Sequence, residues 1–164
     1  MLGRIVRRGV CLATLVTLLG AGVTLAAGRE TVTETQHEHN VVFFSEATVN
    51  QCTREKGTLT AVAANSVFHV TSFPNSDEFC VTGTGEGTAT FTPENLGGVS
   101  GSGHFAVWFG ASGNNKNDVE HNTTTFVLNG SDGSHTVVHG TTHVSTNGNG
   151  VVTVEFEKMT AHCA

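Results

Sequence analysis

From residue 41 onward, apolar and polar side chains alternate with a period of two, and no stretch keeps apolar residues at helical spacing. The clearest run sets Phe79, Val81, Gly83, Gly85, Gly87, Ala89 and Phe91 on one face and Cys80, Thr82, Thr84, Glu86, Thr88 and Thr90 on the other. The pattern predicts strands at about 41–50, 57–73, 78–91, 99–110, 119–129, 134–146 and 150–160, with 29–36 as a possible extra one. Turn chemistry separates them at Pro74-Asn75-Ser76-Asp77, Pro93 to Gly98, Asn129 to Gly133 and Asn147 to Gly150. Successive hairpins make an all-β antiparallel meander of seven or eight strands, expected to close into a small β-barrel; a two-sheet β-sandwich is the alternative.

Folding the hairpin at Asn75-Ser76 sets Phe68 opposite Gly83 and Val70 opposite Val81, on the core face. Leu59, Ala61 and Ala63 have the other parity, which implies a β-bulge near Ala64-Asn65. Folding the next hairpin about Glu94 and Asn95 sets Phe105, Val107 and Phe109 opposite Gly85, Gly83 and Val81, so large rings meet bare backbone. The glycines of Gly83-Thr84-Gly85-Glu86-Gly87 therefore read as packing positions, since the run opens no helix that would cradle a phosphate. The outer face then carries His69, Thr82 and Trp108 in one row, with His69 and Trp108 roughly 10 Å apart, and Glu86 paired with His104 nearby. Trp108 on a polar face is the oddest placement in the chain: either a terminal segment or a second chain covers it, or it stacks on a ligand.

The chain has 164 residues with ten Phe, one Trp and no Tyr, enough for one modest core. Arg4, Arg7 and Arg8 precede an apolar run from Val10 to Leu19 and small residues up to Ala27, the pattern of a secretory signal peptide with cleavage after Ala26 or Ala27. A membrane anchor is the weaker reading, because Gly20, Gly22 and the Thr residues interrupt the run. Residues 1–27 are thus expected to be a leader and 28–164 a single exported domain, with no membrane insertion once the leader is removed. The leader holds three of the eight basic residues and none of the 14 acids, so the exported part falls from a net charge of −6 to −9. That argues against nucleic acid as a partner.

Nine histidines raise the question of a metal. His135, His139 and His143 lie on a strand, where residues four apart are about 13 Å apart and cannot share an ion. His37-Glu38-His39 completes no site, and neither a metal nor a cofactor is expected. Pairing the last two strands places His139 near Glu155 or Glu157, an ordinary surface pair. Three cysteines remain after the leader. If 57–73 is one long bulged strand, Cys52 and Cys163 end at the same rim; if Ala64-Asn65 is a true turn, Cys52 and Cys80 share one. The length of the neighbouring strands favours Cys52–Cys163.

Val67-Phe68-His69-Val70-Thr71, Gly103 to Gly110 (GHFAVWFG), Gly130-Ser131-Asp132-Gly133-Ser134 and the final Cys163 resemble a family of small secreted proteins from actinobacteria. The resemblance spans most of the exported chain and is most specific at the Trp-centred segment. It implies export and pairing of Cys52 with Cys163, with Cys80 left over, and it brings no catalytic residue with it. The resulting expectation is an exported, non-catalytic barrel that binds a small apolar molecule in a lumen lined by Phe68, Val70, Phe105, Val107 and Phe109, with space over Gly83 and Gly85. Alternatively, it uses its outer His69, Thr82, Glu86, His104 and Trp108 patch for a carbohydrate or a partner chain at the cell surface. The rival is a lumen-based isomerase or cyclase similar to small barrels of the allene oxide cyclase type, against which stands an inner face read as lacking acids, bases and donors.

Overall fold

The computed structural model describes residues 31–73 and 76–164; the expected leader, together with Pro74 and Asn75, lies outside the described residues. Eight strands follow in order: β1 (Val32–Glu38), β2 (Val41–Val49), β3 (Lys56–Phe73), β4 (Glu78–Pro93), β5 (Gly101–Gly113), β6 (Asn117–Gly130), β7 (His135–Asn147) and β8 (Val152–Cys163). All pairings are antiparallel and consecutive from β3 to β8, and there is no helix among the described residues. β1 and β2 share the remaining edge of β3, β1 along its C-terminal half and β2 along its N-terminal half. They act as one strand broken at Asn40, whose φ of 56° is a backbone conformation that Asn tolerates. The break faces the register shift between Ala63 and Asn65 in β3, the bulge expected there, and His39 Nδ1 meets Asn65 Oδ1 at 2.9 Å across it.

The β3–β4 register is the expected one, with Phe68 facing Gly83 and Val70 facing Val81. The β4–β5 register is not. Phe105, Val107 and Phe109 face Gly87, Gly85 and Gly83, two residues away from the expected partners, because the loop after Pro93 closes around Leu96. Parity is unchanged, so every residue keeps its face.

Ala61, Ala63, Ala89, Phe91, Phe105, Val107 and Leu128 form the buried core on the inner face. A second bulge, between Val42 and Phe44, lets consecutive phenylalanines share that core: Phe43 packs on Phe105 at 5.9 Å and Phe44 meets Phe126 edge-on at 5.7 Å. β2 and β6 are four ladder steps apart, about 19 Å in a flat sheet. Ring contact between them therefore requires the sheet to curl back over itself.

The curled sheet is not closed into a barrel. No ladder joins β8 to β1 or β2 among the described residues. With β1 and β2 counted as one strand the meander has an odd number of strands, so its first and last strands run parallel and no further antiparallel ladder can close it. Instead, the Cys52–Cys163 disulfide clasps the C-terminal ends of β2 and β8, with Cα atoms 5.6 Å apart and 111 residues between them in sequence. Cys80 is an exposed free thiol at the start of β4.

Candidate functional site

All five residues expected on the outer face lie on it, but in a different arrangement. His69 faces Thr82, as expected, and its Nδ1 lies 2.9 Å from the Thr35 hydroxyl of β1. Trp108 faces Thr84 on one side and Thr123 on the other, one row away from Thr82. Glu86 faces Ala106 and His104 faces Thr88, so the expected Glu86–His104 pair is not made. His104 and Trp108 are four residues apart on β5, about 13 Å along the strand, and do not share a contact zone.

The Trp108 indole reaches back to the expected row by another route. Gly110 stands opposite both Thr82 and His121, and the indole lies across it; a Cβ on Gly110 would come within 3.1 Å of the ring. Space left by Gly110 lets Trp108 meet His121 edge-on, at 5.6 Å between centroids. His121 in turn faces His143 on β7, at 5.9 Å, and His143 faces Phe156 on β8. Trp108 and Phe156 are 42% and 49% exposed, so this four-ring band across β5 to β8 lies open to solvent. Thr123 and Thr141 lie in the neighbouring row. On the other side of Trp108, an open depression of about 300 Å³ is lined by Asn65, Val67, Thr84, Glu86 and Ala106, with Ser66, Gly85 and Val107 completing it.

Sequence reasoning missed His121 and Phe156, and set His143 aside by weighing it only against His135 and His139 on its own strand. Folding the β6–β7 hairpin about Asp132 would have paired the two histidines, since Asn129 faces His135 across that turn. The expected meeting of His139 with Glu155 or Glu157 does not occur: His139 faces Thr160, and its Nδ1 lies 2.9 Å from the Thr125 hydroxyl.

The inner face also differs from expectation. The space expected over Gly83 is filled by the Phe109 ring, and that over Gly85 by Val107, Phe43 and Ser66. Ser66 is 2% exposed, and its Oγ has no hydrogen-bond partner. Nor is the inner face free of acids: Glu120 faces Ala111 and Glu157 faces Thr142, both on the inner parity, though both are exposed. Among the described residues no three or more His, Cys, Asp or Glu side chains cluster as a metal site.

In comparisons with known proteins, no family model, no curated protein and no solved structure matches the chain.

Proposed function

We propose that this is an exported, non-catalytic binding protein that presents the outer-face band around Trp108 to carbohydrate at the cell surface. In this reading the curled sheet, clasped by Cys52–Cys163, serves as a barrel-like scaffold, and export follows from the basic-then-apolar leader with its small-residue end. It would belong with the small secreted actinobacterial proteins its GHFAVWFG segment resembles. A disulfide agrees with an oxidising compartment.

The observation that carries the reading is the exposure of Trp108 on an interior strand, beside His121 and between Thr84 and Thr123. An aromatic face flanked by hydroxyls suits a ligand with both C–H faces and hydroxyl groups, which is the chemistry of a sugar. An apolar ligand in the lumen is the weaker alternative, because Phe91 and Phe105 fill the core and Phe109 occupies the space over Gly83.

Trp108 is the only tryptophan and there is no tyrosine, so ultraviolet fluorescence excited at long wavelength reports on this position alone. Titrating neutral and N-acetylated oligosaccharides into the disulfide-bonded protein should give a saturable shift in Trp108 emission. If none moves the emission while an apolar probe binds and displaces no Trp108 signal, the outer-face reading fails and the lumen reading takes its place. N-terminal sequencing of protein from culture supernatant tests export: a start at Ala27 or Gly28 is expected, and retention of Met1 with the cells would overturn it.

A further inference from the structure

We propose that His121 and His143 form a surface site for a late transition-metal dication such as Cu²⁺ or Zn²⁺. The two residues are direct cross-strand partners on β6 and β7, with ring centroids 5.9 Å apart. Imidazole nitrogens bind such ions at about 2.0–2.1 Å, which places the ion about 3.2 Å from each ring centroid. Two rings sharing an ion therefore have centroids about 5.2–5.6 Å apart at the tetrahedral to trigonal angles of Zn²⁺ and about 4.5 Å apart at neighbouring positions of tetragonal Cu²⁺. The observed 5.9 Å needs to close by a few tenths of an ångström for Zn²⁺ and by about 1.4 Å for Cu²⁺, both within the reach of rotating the two side chains.

Hydrogen bonding separates this pair from four other outer-face histidines, while His37, His104 and His162, also without a bond at a ring nitrogen among the described residues, face Val67, Thr88 and Val137 across their ladders and have no histidine opposite. Nδ1 of His39, His69, His135 and His139 each lies 2.9 Å from a neighbouring side-chain oxygen, of Asn65, Thr35, Asn129 and Thr125. Among the described residues no hydrogen bond reaches a ring nitrogen of His121 or His143; their contacts are with rings. Both nitrogens of each ring are thus available, and the pair stands between Trp108 and Phe156. Imidazole suits Cu²⁺ and Zn²⁺, with Cu²⁺ the tighter of the two. Two protein ligands leave the remaining positions to water, so the site is exchangeable. The inference does not depend on carbohydrate binding: although His121 and His143 belong to the same band, metal binding uses their ring nitrogens and carbohydrate stacking the face of Trp108.

The test uses the disulfide-bonded protein carrying Cys80→Ser, so that the exposed thiol neither reduces nor binds the ion. Cu²⁺ bound to His121 sits beside Trp108 and quenches its fluorescence. The expected result is saturable quenching with one equivalent of Cu²⁺, reversed by excess Zn²⁺. His143→Ala, which leaves the Trp108–His121 contact in place, should weaken binding at least about tenfold, while His139→Ala leaves it unchanged. His143→Gln serves if the alanine variant loses its β-sheet circular dichroism. The Cu²⁺ electron paramagnetic resonance spectrum of the Cys80→Ser protein should show hyperfine coupling to two imidazole nitrogens. Unaltered titration in either His143 variant, or a spectrum without coupling to two nitrogens, overturns the proposal.

Discussion

Phe109 lies directly across the β4–β5 ladder from Gly83, and its ring fills the volume that a side chain on Gly83 would need. Gly83→Ala should therefore destabilise the fold by about 1–3 kcal/mol through overpacking, read as a lower denaturation midpoint. Combining it with Phe109→Val should cost less than the two single changes together, the signature of a shared volume. Gly140 is the contrast: it lies in β7, and a Cβ there meets nothing within 4 Å. Gly140→Ala is expected to leave stability within about 0.5 kcal/mol or to raise it slightly.

The disulfide does what a closing ladder would otherwise do. It encloses 111 residues of sequence separation, so Cys52→Ser with Cys163→Ser should cost about 2–5 kcal/mol, mostly by freeing the unfolded chain. Urea denaturation of the double variant in a Cys80→Ser background checks this. A loss below about 1 kcal/mol would mean that the curl is held by the Phe43, Phe44, Phe105 and Phe126 cluster alone.

Phe105 and Trp108 are close in sequence and opposite in consequence. Phe105 is fully buried between Phe43 and Phe126, so Phe105→Ala should cost about 3–5 kcal/mol. Trp108→Ala should change stability by about 1 kcal/mol or less, yet weaken carbohydrate binding about tenfold. Calorimetric titration with the oligosaccharide that best shifts Trp108 emission separates the two effects.

The β6–β7 turn carries an acid-sensitive contact. The Ser134 hydroxyl first, and the Ser134 N–H second, hold the Asp132 carboxyl below its ordinary range. The N–H donates to Oδ1 at 2.9 Å. A lowered folded-state value means that this contact favours the native turn above the unfolded carboxyl value and is lost as pH falls through the folded one. Carbon-detected NMR titration should show Asp132 protonating at lower pH than an unstructured Asp, and Ser134→Ala should bring its midpoint upward. A midpoint that Ser134→Ala leaves in place would show that the hydroxyl is not the cause.

Much of the fold was legible because period-two alternation is a local signal. It marked the strands, put His69, Glu86, His104 and Trp108 on the outside, and located the β3 bulge from the phase change between Ala63 and Phe68. Counting rims favoured Cys52–Cys163 over Cys52–Cys80 on the length of β3, and the unbroken, bulged β3 decides between them. The β4–β5 register was not legible, because a slip of two residues preserves every face, and the Pro93 to Gly98 loop has turn residues enough to close about more than one centre. The expected Glu86–His104 pair was lost with it.

The amino-acid pattern by itself determined the strands, their inner and outer faces and the rim at which the cysteines could meet, since each depends on residues near one another along a strand or hairpin. Only the tertiary structure decided that Phe44 of β2 meets Phe126 of β6 and that the sheet ends in a disulfide clasp instead of a ladder. It also decided that Trp108, His121 and His143 line up across three strands. Those outcomes depend on how strongly the sheet curls and how the hairpin registers add, and neither is encoded in any single segment.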